Sequence, residues 1–336
     1  GNIKSFAHVD LHENKINMHC IFVLHVYYTP YRNIEKNRSV YFYSWYIIIV
    51  RLISPIFTLI FIEDIIMLIT IKDDFNLFKI CNSGQCFRCP TVNGYTRFIF
   101  RNHILYIKQL SDESYDISCT EELWNTIWLP YFDLTRSYKK IRRLTTKDTF
   151  MKKATREGLG IRILRQDPWE MVITFILSQR KSIPAIKKSV EALCTHFGSL
   201  VTTEHEIVYL FPTPEQLKDA TDDILSECGL GYRLPYVRDA VEQALYNTIV
   251  TNEWYEFDDH TLFTMLKSIK GVGDKVANCI MLFGYNRIGR APVDTWIEKI
   301  INTKYNGVDP FPSYGDVAGI MQQYAFYYSL QHKDEF

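Results

Sequence analysis

The chain has 336 residues, room for roughly two or three domains, and its 47% hydrophobic and 23% charged content excludes wholesale disorder. Lys and Arg number 38, as do Asp and Glu, so the net charge of zero points to no anionic partner. Eight irregularly spaced cysteines do not make a secreted disulfide framework and fit reduced thiols in a cytosolic protein.

Residues 1–66 are crowded with Ile, Tyr, Phe and His and lack helix caps or clean periodicity. The run 46–62 is membrane-like, but Arg51 and Pro55 interrupt it, which makes it a poor span. It also lies too far from the start for a simple signal peptide. A membrane anchor, a buried extension and an upstream tract outside the functional domain compete here. We favour the last, an atypical extension over 1–66, because capped, alternating sequence starts at Met67.

From about 67 to 130 the signals are for strands. Residues 95–110 read as two apolar strands joined at Arg101-Asn102, and Asn93-Gly94 marks another turn. Residues 136–165 hold 11 Lys or Arg against only Asp148 and Glu157, which reads first as a solvated face and second as a phosphate-contacting one. After about 150 the pattern is helical. Asp167-Pro168-Trp169-Glu170 predicts a capping box opening a helix, and Thr213-Pro214-Glu215-Gln216 repeats the device. Ile183, Ile186, Val190, Leu193, Cys194 and Phe197 recur at helical spacing, with Gly198 as the stop. The fold expected is α+β: a small antiparallel β-sheet domain over 67–160, then a mostly helical, two-part domain over 161–336 with a helix-hairpin-helix at 262–284.

Chemistry concentrates in 266–284, where an apolar helix ends near Ile269 and a second begins near Asp274. Gly271 and Gly273 allow a sharp turn and leave N–H groups exposed at a helix start, which suits a phosphate oxygen or a plain connection equally. Lys275 lies in the first helical turn, where the macrodipole disfavours a cation, a place that suits an amine acting as a neutral nucleophile. Asp294 precedes the next apolar helix; it reads as an N-cap, and a capping carboxylate held rigidly can also face a site.

The hairpin with Lys275, the downstream Pro292-Val293-Asp294, and the segments LRQDPWEMVITFILSQ and CGLGYRLPYV resemble the helix-hairpin-helix DNA glycosylases, specifically the 8-oxoguanine branch in its bacterial form. The resemblance runs from about Phe75 to Ser329. It implies a bifunctional DNA N-glycosylase with class I AP lyase activity that extrudes an oxidised guanine from duplex DNA. Lys275 would attack the sugar C1′ and form a Schiff base leading to β-elimination, while Asp294 would stabilise the positive charge developing on the sugar. Gln322 would read the base edge, Phe326 and Cys279 would sandwich its ring, and Pro292 would line the base pocket. Tyr232 and Arg233 match the wedge and the residue facing the unpaired base. Val272 and the amides of Gly271 and Gly273 would hold the DNA backbone. Trp296 stands where relatives can carry a phosphate-contacting histidine. The resemblance implies no cofactor and no metal, a monomer with no membrane partner, and a place with bacterial nucleoid DNA in the cytoplasm.

Two departures bear on specificity. Arg180 stands where an asparagine would face the unpaired base, and Ala185 where an arginine would check for cytosine, so relaxed opposite-base preference is expected. The array Cys81-x4-Cys86-x2-Cys89 suggests a metal loop, but its fourth ligand is missing, since the next cysteine is Cys119 and strand signals intervene. Within it, SGQCFR matches a family segment whose glycine, here Gly84, offers its carbonyl to N7–H of 8-oxoguanine, a proton guanine lacks. The alternatives are a monofunctional glycosylase for alkylated bases, a non-catalytic helix-hairpin-helix DNA-binding module, and a membrane-anchored protein. Lys275 argues against the first.

Overall fold

The computed structural model describes residues 67–145 and 147–336. The expectations for residues 1–66, including the apolar run 46–62, lie outside the described residues. Among the described residues no helix is long and apolar enough to cross a membrane.

Strands β1 (Met67–Thr70), β2 (Thr91–Val92), β3 (Tyr95–Phe100), β4 (His103–Gln109) and β5 (Ser114–Ile117) form a five-stranded antiparallel sheet in the order β1-β5-β4-β3-β2. The β2–β3 turn uses left-handed Asn93 and Gly94, the pair that matches strand twist in a tight hairpin. Alternation sets the face: Phe98 pairs with Leu105, and both are fully buried beside Tyr115, Trp128 and Phe132. The strand reading overreached at two places. Asn76 caps a short helix, α1 (Leu77–Cys81), and Thr120 caps a helical stretch that runs through Tyr131, with Glu121 and Glu122 in its first turn.

The second core is helical. It is built from α2 (Thr149–Glu157), α3 (Pro168–Ser178), α4 (Ile183–Phe197), α5 (Leu234–Leu245), α6 (Asp259–Lys267), α7 (Asp274–Phe283), α8 (Thr295–Lys304) and α9 (Ala318–Gln331). The capping box at Thr213 and Gln216 forms as expected. At Asp167 half of the box forms: its carboxylate accepts from Trp169 N and Glu170 N, but Glu170 lies near the buried Arg88. Burial pushes the Glu170 carboxyl up to about 7.

An unanticipated hairpin, β6 (Leu200–Thr202) and β7 (Ile207–Tyr209), projects from the helical part onto the sheet. There Arg97 Nη1 meets Glu206 Oε2 at 2.9 Å and Tyr106 Oη lies 2.8 Å from Thr203 Oγ1. Arg162 is a second fastening. Its side chain is fully buried, its guanidinium lies 4.2 Å from the centre of the Tyr138 ring, and its nitrogens donate to the carbonyls of Asp74, Phe132, Asp133 and Arg136. Replacing it would orphan several buried carbonyls, at about 1–3 kcal/mol each. Arg162→Leu is therefore expected to lower the unfolding free energy by at least about 3 kcal/mol in urea titration. A loss below about 1 kcal/mol would contradict this account of the joint.

Candidate active site

The hairpin between α6 and α7 is held from behind. Gly271 sits at φ +83°, and a Cβ there would run into the ring of Tyr236, so backbone freedom and close packing both demand glycine. Gln179 Nε2 donates to the Gly271 carbonyl at 3.0 Å, and Lys270 N donates to Asp239 Oδ2 at 3.0 Å. Val272 does not face outward: its side chain is buried and its N–H donates to the Ile269 carbonyl at 3.0 Å, closing the turn. Gly273 is the exposed N-cap of α7 with open space beside it. The N–H groups of Gly273, Asp274 and Lys275 find no acceptor among the described residues, so the helix start presents donors and a positive dipole end.

Lys275 projects from that first turn, half-buried, with Nζ 5.4 Å from the centre of the Phe175 ring and close to the Cys279 thiol. Asp294 caps α8 through Oδ1, which accepts from Trp296 N at 3.0 Å and Ile297 N at 2.9 Å. Burial raises its carboxyl above the ordinary range, against the opposing pull of these amides and of Lys275. Among the described residues Lys275 and Asp294 interact through their charges without a direct ion pair, and the amine's near partner is the Cys279 thiol. Burial pushes the Cys279 thiol up to about 11, so it stays a neutral wall.

A cavity of about 920 Å³ opens beside the lysine. It brings together Lys275, Asp294, Gly84, Gln322, Phe326, Cys279, Pro292, Gly273, Arg180 and Trp296. Its deep wall is Gln322, only 4% exposed, whose Oε1 has no hydrogen-bond partner among the described residues. A buried amide oxygen left unpaired costs about 1–3 kcal/mol, a cost that a ligand donor can remove. Gly84 also lines the cavity, on the loop after α1, at φ +77°, and a Cβ there would come within 2.7 Å of Phe326 Cε1. Glycine is thus required by the Phe326 ring as well as by its own backbone.

Gly271, Val272, Tyr232 and Arg233 lie outside the cavity lining. Tyr232 is 49% exposed, as a wedge needs to be. Arg233 is buried beneath it, 4.3 Å from its ring centre, and donates to the carbonyls of Gln179 and Leu230. In this form it props Tyr232 and has no free face of its own. Arg180 is exposed in the left-handed region at φ 51°, where asparagine is favoured and arginine is strained. Sequence reasoning missed Phe175, under the lysine, and Gln179, which ties the hairpin to the Tyr232 loop. Neither carries a local signal, because each acts across a long sequence separation.

Comparison with known proteins gives two matching families. The 8-oxoguanine DNA glycosylase N-terminal domain matches residues 67–172, and the HhH-GPD superfamily of base excision DNA repair proteins matches residues 173–324. An N-glycosylase/DNA lyase of Saccharomyces cerevisiae is 33% identical over 199 residues, covering 55% of this chain and 48% of that one. The chain spans about half the length of the curated relatives it matches. Among solved structures, MBOgg1 in complex with a low-affinity DNA ligand is 33% identical with a TM-score of 0.76, covering 80% of this chain and 96% of that one. The Clostridium acetobutylicum 8-oxoguanine glycosylase/lyase, bound to double-stranded DNA with cytosine opposite 8-oxoG, is 31% identical with a TM-score of 0.73. It covers 81% of this chain and 100% of that one.

The Asp294 geometry has a consequence for stability. A carboxyl whose folded pKa is raised costs stability once ionised, and the cost grows as pH rises through that pKa. Asp294→Asn keeps a capping oxygen and removes the buried charge. It is expected to melt about 2 °C or more above the wild type at pH 7, with the gap closing as pH falls toward about 4. Calorimetry across that range checks this; a variant less stable at pH 7 would refute it.

Proposed function

This chain belongs to the 8-oxoguanine DNA glycosylase family of helix-hairpin-helix proteins, and we propose that it excises 8-oxoguanine from duplex DNA and then cleaves the strand. The observation that carries the reading is the meeting of the Lys275 amine, the Asp294 carboxyl and the buried Gln322 side chain at one cavity. A base in a duplex cannot reach such a site, so it must be extruded. The exposed Tyr232 would fill the gap it leaves, and the α7 amides with the dipole behind them would anchor the phosphate.

In the pocket the base would lie between Phe326 and Cys279, with Gly84 at one edge, Gln322 at another and Pro292 lining the wall. As the C1′–N9 bond breaks, positive charge grows on the sugar and Asp294 offsets it. The neutral Lys275 nitrogen forms a bond to C1′ while the base leaves with the bonding electron pair and is protonated. Loss of a proton from nitrogen and opening of the sugar ring give the Schiff base. Removal of a C2′ proton then expels the 3′ phosphate. These steps consume no cofactor. The substrate is duplex DNA containing oxidised guanine, and the working unit is a monomer. The relatives matched include a yeast and a plant as well as an archaeon, so the placement that follows is with chromosomal DNA and is not tied to a bacterial cytoplasm.

A duplex carrying 8-oxoguanine should be cut by the wild type, and borohydride should trap it as a covalent adduct. Lys275→Gln should abolish both, and Asp294→Asn should slow excision by about 100-fold or more. Normal excision by Lys275→Gln would defeat the lysine mechanism, and excision without trapping would favour a monofunctional enzyme. Arg180 and Ala185 also predict opposite-base tolerance: excision rates opposite the four bases should agree within about threefold. A strong preference for cytosine would rule that out.

A further inference from the structure

The segment Ser83-Gly84-Gln85 is clamped on both sides of its glycine. The Ser83 carbonyl accepts from Nε2 of Gln323, and the Gln85 carbonyl accepts from Nε2 of Gln166 at 2.9 Å. Gln85 itself, with no exposure, donates to the Arg162 carbonyl and to Ser83 Oγ, both at 2.8 Å, and its Oε1 accepts from Leu164 N at 2.8 Å. Ser83, Gln85, Gln166 and Gln323 are all buried. Between the two held carbonyls, that of Gly84 accepts no hydrogen bond among the described residues, and Gly84 lines the cavity. Both clamping atoms face a carbonyl, so each must be the amide nitrogen.

Gln323 follows Gln322 on α9, and successive helical residues project about 100° apart. One glutamine therefore grips the loop that carries Gly84 while its neighbour, Gln322, lines the cavity. We propose that Gln323 is the positioning residue for base discrimination, fixing the Gly84 carbonyl at a set distance from Gln322, with Gln166 holding the far side of the loop. The inference rests on the function proposed above. A carbonyl tells a ring N–H from a ring lone pair only while it is held within hydrogen-bond range, attracting the first and repelling the second. A glycine flanked by free peptide groups would swing away from the lone pair of guanine and lose the distinction. Pinning both neighbours removes that escape.

The test compares two reactions of one variant. Gln323→Met keeps the length of the side chain and deletes the donor. Single-turnover excision of 8-oxoguanine should fall by about tenfold or more, the worth of one buried hydrogen bond. Strand cleavage of a duplex bearing a preformed abasic site, which has no base to read, should stay within about twofold of the wild type. Gln166→Met should show the same split and carries the test if Gln323→Met does not fold. Unchanged 8-oxoguanine excision overturns the proposal, and so does an equal fall in both reactions, the mark of general damage. The wild-type arm is read first: absence of 8-oxoguanine excision there removes the functional reading, and this inference goes with it.

Discussion

A guanidinium sealed away from water is the joint on which this structure depends. Arg162 has no exposed surface, and its side chain gathers carbonyls from the approach to α1 and from the segment 132–136. Its own carbonyl receives the Gln85 amide, so one residue fastens the sheet core and sets the loop that carries Gly84. Desolvating such a charge is expensive, and here four hydrogen bonds to carbonyls and the Tyr138 ring offset it. Such directional bonds fix the segments they join more tightly than apolar packing alone, which tolerates sliding. The cavity lies between elements from both sides of this joint, and its walls inherit that rigidity.

Around the cavity the protein accepts local costs that it avoids elsewhere. Burial raises the Asp294 carboxyl above its ordinary range, Arg180 occupies a left-handed backbone, and the Gln322 oxygen stands unpaired. Each is unfavourable in the free protein by an amount of order 1 kcal/mol or a little more. Such penalties persist where surrounding packing over-determines the geometry, and they cluster at sites where a bound molecule can relieve them. The hairpin shows the complementary strategy: Val272, Gln179 and Asp239 satisfy its rear, so what remains unsatisfied points outward.

Features written in local sequence were legible. The caps at Asp294 and Thr213, the Asn93-Gly94 turn and the hairpin glycines each depend on a few neighbouring residues, and each formed as read. The resemblance placed Lys275, Asp294, Gln322 and Gly84 on one cavity, which periodicity alone could not have done. What escaped was long-range. Gln323 grips a residue 240 positions away, and the β6–β7 hairpin has meaning only against a sheet nearly 100 residues earlier. Glu170 shows tertiary context overriding a local rule, since its carboxylate did not return to close the box at Asp167. Local sequence marks Gly84 only through its carbonyl, whereas the constraint on its missing side chain is Phe326, far along the chain.

The cysteines that make the loop conspicuous bear on chemical durability. Every described cysteine is free and buried. The Cys86 thiol is held neutral first by its hydrogen bond with Cys89 and then by burial, and the Cys89 thiol first by Cys81. Peroxides attack thiolates far faster than thiols, so sulfur in this state climbs the oxidation ladder slowly. The lesion proposed as substrate forms when oxidants reach guanine. A repair protein built with exposed, ionised thiols would be disabled by the same episode that creates its work, whereas here the sulfurs around the Gly84 loop are buried as inert packing.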